Sequence, residues 1–170
     1  MGLGQGAILL AFVTAQRLAE LWWARQNASR LLAAGGREYG RSHLPAILAL
    51  HGAWLTGLWI LGYDRPVEPV MLALFVILQV LRLWILTTLG RRWTISVIVV
   101  PGEKLVTGGP YRWFRHPNYA IVAGEIAVVP LALGLPLYAL LFSILNAMIL
   151  AGRIRVEERS LAAAAAKSGY

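Results

Sequence analysis

The chain has no cysteine, which excludes disulfides, thiolate metal sites and a thiol nucleophile, and leaves no redox compartment to infer. Charge is scarce too: 14% of its 170 residues are Asp, Glu, Lys or Arg, against 58% hydrophobic. An ordinary soluble domain is roughly 45–50% apolar and about 25% charged, so the composition is that of a membrane protein of one domain. Histidine is limited to His43, His51 and His116, scattered without metal-site spacing. There are no internal repeats. No basic segment precedes the first apolar run and no small-residue cleavage site follows it, so that run reads as a retained helix and not a signal peptide. The 16 basic residues outnumber the 8 acids, but the arginines flank apolar runs instead of forming a stripe among polar residues. Anionic lipid headgroups, and not nucleic acid, are the partner this pattern implies.

Apolar runs at residues 3–23, 45–61, 70–89, 118–133 and 137–152 predict five transmembrane helices, an all-α integral membrane fold. Residues 1–90 hold three helices, 91–117 a connector, and 118–170 a helical hairpin with an alanine-rich helix end. The hairpin helices are short for a bilayer, so they are expected to be tilted or recessed. Arg25, Arg30, Arg37 and Arg41, with Gly35, Gly36 and Gly40, read as a basic, turn-rich first loop. The second loop is near-neutral and the third basic. By loop charge the N-terminus is outside and the first and third loops are cytoplasmic. Residues 94–100 are β-branched and too short to span; they should lie against the protein on the cytoplasmic side.

Polar residues inside the runs mark candidate sites. Arg17 and Glu20 sit three apart on one face, and so do Gln79 and Arg82. His51 is a lone histidine in the second run, more often a satisfied interior group than a catalyst. Glu125 is an acid in the fourth, either a base or substrate contact or a structural partner for Arg82 or His51.

The densest chemistry lies in Gly109-Pro110-Tyr111-Arg112-Trp113-Phe114-Arg115-His116-Pro117-Asn118-Tyr119. Two prolines stiffen it, glycine permits a tight backbone, and Arg115 and His116 precede a helix start, where free N–H groups favour a carboxylate or phosphate. Trp113 fits an aromatic belt at headgroup level. After the hairpin comes Arg153-Ile154-Arg155-Val156-Glu157-Glu158, whose Arg-x-x-Glu spacing also suits a simple pair on one helix face.

Gly-Pro-Tyr, then Arg-His-Pro-x-Tyr, then the hairpin and Arg155 to Glu158 together resemble the isoprenylcysteine carboxyl methyltransferase family over residues 108–161. The resemblance implies an integral membrane enzyme that binds S-adenosyl-L-methionine in a cytoplasmic pocket of the C-terminal half. It implies cofactor roles for Tyr111, His116, Pro117, Tyr119 and Glu158, and for Arg155 a contact to the substrate anion or the orientation of Glu158. For the same donor, Arg115 suits the methionine carboxylate, Glu158 the ammonium or ribose, and Leu105, Val106 and Tyr119 an adenine slot. Ala120 and Glu125 depart from the family's pattern after Tyr119, which makes Glu125 the candidate base for a phenol or enol acceptor.

In the N-terminal half, Arg17-Leu18-Ala19-Glu20, Arg25-Gln26-Asn27, Gly35-Gly36-Arg37-Glu38, Leu50-His51 and the later Asn146 look like a bacterial subfamily associated with type III polyketide synthases. That subfamily methylates alkylpyrone or alkylresorcinol hydroxyls. On this resemblance Arg17, Glu20, His51 and Asn146 are candidate substrate contacts, a polyketide synthase is a candidate supplier, and the bacterial cytoplasmic membrane is the expected location. A prenylated substrate stays open. Membrane sterol reductases carry a similar Arg-His-Pro-Asn-Tyr stretch and would take a reduced nicotinamide dinucleotide instead, but place an acid close behind the tyrosine, whereas Gly124-Glu125 comes later. A non-enzymatic lipid-binding protein is the third reading.

Overall fold

The computed structural model describes the backbone of residues 4–103 and 106–168, and side chains within them except those of 156 and 159–168. Five helices dominate: α1 Gln5–Ala33, α2 Leu44–Gly62, α3 Pro69–Leu89, α4 Pro117–Ala132 and α5 Pro136–Ser168. All except α4 are long and apolar enough to cross a membrane; α4 is a shorter apolar helix of 16 residues. The surface is inside-out for a soluble protein. Ile8, Leu18, Trp22, Ile60, Val80 and Leu83 are among the large apolar side chains left at least half exposed, a continuous apolar exterior of the kind that contacts lipid.

The helical expectation is met with three differences. The first run continues beyond residue 23 as helix to Ala33, so Arg25 and Arg30 ride on α1 and not in a loop; at about 43 Å it outreaches a hydrocarbon core of about 30 Å. The fifth continues beyond 152 for the same kind of reason, with good helix formers and no glycine between Arg153 and Lys167. Third, the connectors pair: β1 Arg37–Tyr39 and β2 Val97–Val99 form an antiparallel two-stranded sheet, with Glu38 opposite Ile98. This satisfies the backbone of the β-branched 94–100 stretch, which would otherwise be orphaned at the membrane surface.

Proline and acid start α3. Pro69 occupies its first turn, and the Glu68 carboxylate accepts from the N–H of Val70 at 3.1 Å and of Met71 at 2.7 Å. The Glu68 N–H donates to Ala132 O at 2.8 Å, tying α3's start to α4's end. α4 packs between α3 and α5. The core gathers Leu10, Val13, Trp54, Leu58, Ile126 and Val129, and Trp54 Nε1 donates to Ile126 O at 3.3 Å. Gly57 leaves room for the Tyr138 ring, whose hydroxyl donates to Trp54 O at 2.9 Å.

α4 covers only about 24 Å, less than a hydrocarbon core of about 30 Å, and its end is anchored beside Glu68. A recess at its start is lined by β2 and by Trp93, Thr94, Val106 and Thr107 of the connector.

Candidate functional site

That recess is a cavity of about 700 Å³, within the usual range for small-molecule sites. Val97, Val99 and Val106 give it an apolar side, and Tyr111, Arg115, His116, Tyr119, Arg153, Glu157 and Glu158 a polar one. The polar side follows from α5's period. Asn146, Arg153 and Glu157 fall on one stripe, which faces α4 at Arg153 and Glu157, while Arg155, about 200° around the helix from Arg153, is exposed.

Arg153 holds the polar side together. Its Nε donates to the Tyr119 hydroxyl at 2.7 Å, its Nη2 donates to Ile95 O, and its guanidinium stands 5.2 Å from the centre of the Tyr119 ring. The Tyr119 hydroxyl donates in turn to Glu157. His116 stacks on Tyr119, with ring centres 5.4 Å apart and planes 9° from parallel. Its Nδ1 lies 3.8 Å from Glu157 Oε1 and its Nε2 3.6 Å from Glu158 Oε1, both beyond hydrogen-bond length. Nε2 is buried and has no hydrogen-bond partner among the described residues. Burial, and then the Glu157 carboxylate, push the Tyr111 phenol up to about 12, so it stays a neutral donor at physiological pH.

The connector is fixed from α1. Asn27, fully buried, donates Nδ2 to Trp93 O at 2.9 Å and to Gly90 O at 3.3 Å, and Trp23 stacks on Trp93 at 5.8 Å.

Deeper in the bundle is a second polar group. Glu125 accepts from Arg82 Nε and Gln79 Nε2, each at 2.8 Å, and from Nη2 of both Arg82 and Arg17. Glu20 accepts from Arg82 Nη1 at 3.1 Å, Arg17 Nη1 at 3.2 Å and Gln16 Nε2 at 2.9 Å. Two arginines thus face two acids. His51 Nδ1 donates to Ile47 O at 2.9 Å. Gly152 stands against His43 and Gly57 against Tyr138, so α2 and α5 run antiparallel with the buried Asn146 near the depth of His51.

Of the candidate cofactor residues, Val106, Tyr111, Arg115, His116, Tyr119 and Glu158 line the cavity. Pro117 opens α4 just below it and is buried; Leu105 lies outside the described residues. Glu125 and Arg155 do not line it. Glu125 is hydrogen-bonded to Arg82 and Arg17, and Arg17, Glu20 and His51 belong to or adjoin that deeper group. Arg153, Glu157 and Trp93 went unassigned from sequence, although the four-residue step from Arg153 to Glu157 signals a shared helix face.

The model of the Isoprenylcysteine carboxyl methyltransferase (ICMT) family matches residues 71–163, more than half of the chain. The chain is 37% identical over 167 residues to the uncharacterized protein YpbQ of Bacillus subtilis (strain 168), covering 91% of this chain and 95% of the relative. No solved structure matches. The matched span takes in α4, the first part of α5 and the connector between α3 and α4, the elements that build the polar side of the cavity, and the chain belongs to the isoprenylcysteine carboxyl methyltransferase family of membrane methyltransferases.

Proposed function

We propose that this protein is an S-adenosyl-L-methionine-dependent methyltransferase that methylates an oxygen of a lipophilic acceptor. The acceptor oxygen is a phenol or enol hydroxyl, as in an alkylresorcinol or alkylpyrone, or a carboxylate, as in isoprenylcysteine. The observation that carries the reading is His116: a buried ring nitrogen without a hydrogen-bond partner among the described residues, on the wall of a recess it shares with two carboxylates. A buried polar atom is ordinarily satisfied, so the recess suits a ligand that brings polar groups of its own.

The residues fit the donor's parts. Glu157 and Glu158 suit its ammonium and ribose hydroxyls, Arg115 its carboxylate, and Val97, Val99 and Val106 its adenine. The donor supplies a methyl group on a sulfonium. The protein's own work is to hold the acceptor oxygen close by and to exclude water, which supplies rate through proximity. The neutral Tyr111 hydroxyl donates and does not take a proton. A carboxylate acceptor needs no base; a phenol gains from one.

By loop charge the cavity faces the cytoplasm and the N-terminus lies outside, in the cytoplasmic membrane of a bacterium. An enzyme that releases long-chain phenols or pyrones, such as a polyketide synthase, would supply the acceptor.

The test is calorimetric titration of the purified protein in detergent with S-adenosylhomocysteine and, separately, NADPH. Binding of the first is expected, weakened at least about tenfold by His116→Ala or Glu158→Ala. Binding of NADPH alone would give the site to a reductase, and binding of neither would remove the reading. Methyl transfer from labelled donor onto lipid extracts then identifies the acceptor.

A further inference from the structure

The segment that leads into α4 has two sides. Gly109–Arg112 closes a single 3-10 turn, and the N–H groups of Trp113 and Phe114 both donate back to Pro110 O, at 3.2 and 3.1 Å. Tyr111 N–H donates to Gly108 O at 3.3 Å, so residues 108–114 are tied into one piece. Tyr111 and, just beyond that piece, Arg115 and His116 line the recess. Trp113 and Phe114 stand outside the core, 65% and 66% exposed.

Two adjacent aromatic rings, each with roughly 150–250 Å² to bury, are costly to leave in water, and their neighbours indicate what covers them. Trp113 packs on Trp84 of α3, with ring centres 5.8 Å apart. Trp84 and Val80, one turn apart on a helix long and apolar enough to cross a membrane, are both exposed. The lipid-facing exterior of α3 therefore continues onto the turn. Exposed Arg91 follows the end of α3, and exposed Arg112 precedes Trp113. Aromatic rings flanked by guanidiniums suit the headgroup level, where the rings sit at the acyl boundary and the cations meet phosphate.

The rings and the recess wall share one backbone. A Cβ at Gly109 would stand 2.5 Å from Thr88 Oγ1, so the turn has no room to slide along α3. The freedom left to it is a tilt about that contact, which raises or lowers Trp113 and Phe114 and carries Tyr111 with them.

We propose that Trp113 and Phe114 are seated in the bilayer interface, with Arg112 on an anionic phospholipid headgroup, and that this seating fixes the tilt of the turn and so the affinity of the recess for S-adenosyl-L-methionine. This rests on the methyl-transfer reading above and adds a lipid surface as the regulator of that site. Bilayer and donor are then linked reciprocally: whatever the bilayer adds to donor affinity, the donor adds to the seating.

The chain has no cysteine, so Phe114→Cys carries a single nitroxide whose depth is read from its collisions with oxygen and with a water-soluble nickel chelate. In nanodiscs of mixed phosphatidylcholine and phosphatidylglycerol the label is expected to be reached by oxygen and shielded from nickel, and more so once S-adenosylhomocysteine is added. Trp113→Gln combined with Phe114→Gln should weaken S-adenosylhomocysteine binding about tenfold, read by calorimetry in the same nanodiscs, while Trp113→Tyr, which keeps an interfacial ring, should retain the affinity. Should the double variant fail to fold, Trp113→Gln alone takes its place. Nanodiscs of phosphatidylcholine alone should weaken binding several-fold for the unmodified protein and not for Arg112→Gln. A nickel-exposed label, unchanged affinity in a folded glutamine variant, or equal affinity of the unmodified protein in both lipid compositions would each overturn the proposal and leave the methyl-transfer reading standing. An unmodified protein that binds no S-adenosylhomocysteine in any nanodisc would sink that reading, and the coupling with it.

Discussion

Arg82 Nε donates to Glu125 Oε1 at 2.8 Å across the α3–α4 interface, and the two residues expose only 2% and 1% of their surface. Their group balances internally, with Arg17 and Arg82 against Glu20 and Glu125. Neutralising one acid leaves two buried cations sharing the other carboxylate, and losing one partner of a buried pair costs about 3–5 kcal/mol. Glu125→Gln is therefore expected to lower the thermal midpoint in detergent by roughly 10 °C, followed by tryptophan fluorescence. Glu20→Gln should cost less, since Glu20 is the more exposed acid of the two. A Glu125→Gln protein of unchanged midpoint with lost methyl transfer would make Glu125 a base instead.

Tyr119 and Arg153 sit 34 positions apart and meet at 2.7 Å. The hydroxyl accepts from Arg153 and donates to Glu157, so Tyr119→Phe breaks both links while preserving the stack on His116. The expected cost is about 1–3 kcal/mol in stability. A several-fold weaker affinity for S-adenosylhomocysteine should accompany it, because Glu157 loses the group that orients it. Arg153→Lys should not restore what Arg153→Ala loses: an ammonium lacks the fork that reaches both the Tyr119 hydroxyl and Ile95 O. Calorimetry on the three variants checks this.

Much of this arrangement was legible in the residues. Apolar runs located all five helices, and the short fourth run matches the 16 residues of α4, whereas α5 runs well past its apolar stretch. The Arg115 to Tyr119 motif and Glu158 pointed to one another across two helices. Periodicity within a helix and proline at its start carried those inferences, and both are local. The β1–β2 pairing was not legible because Arg37–Tyr39 alone has no strand signature; it becomes a strand only because Val97–Val99 needs a partner. Arg153 was given no role for a similar reason. Its role depends on which face of α5 meets α4, which the apolar stripe implies only once the hairpin is closed. For Glu125 an intramembrane acid signalled importance, and its bonds to Arg17 and Arg82 join groups from three helices that no local pattern brings together.

Tyr111 gives a pH signature. Its phenol is raised to about 12 by burial and then by Glu157, against about 10 in an unfolded chain. A raised acid favours the folded state fully below the unfolded value, and the contribution is lost as pH climbs from about 10 towards 12. Thermal midpoints measured across that window should fall for the unmodified protein and fall less steeply for Tyr111→Phe. Parallel curves would mean that the phenol ionises alike in both states.

The turn that presents Tyr111 depends on one glycine. Gly109 adopts φ +57°, and an added Cβ would stand 2.5 Å from Thr88 Oγ1 at the end of α3. That hydroxyl is engaged, donating to Trp84 O at 2.7 Å, so it has little freedom to move away. Gly109→Ala therefore combines left-handed strain, about 1–3 kcal/mol, with a clash that pushes the 109–112 turn off α3. Gly108 has ordinary φ and open space around it, so Gly108→Ala serves as the neutral comparison. Adding Thr88→Ala to Gly109→Ala should recover the part of the loss due to the clash and leave the strain. Midpoints and S-adenosylhomocysteine affinities for the four proteins read this out. If Gly109→Ala behaves like Gly108→Ala in both, the turn is not held against α3 in the way described, and Tyr111 owes its place to other contacts.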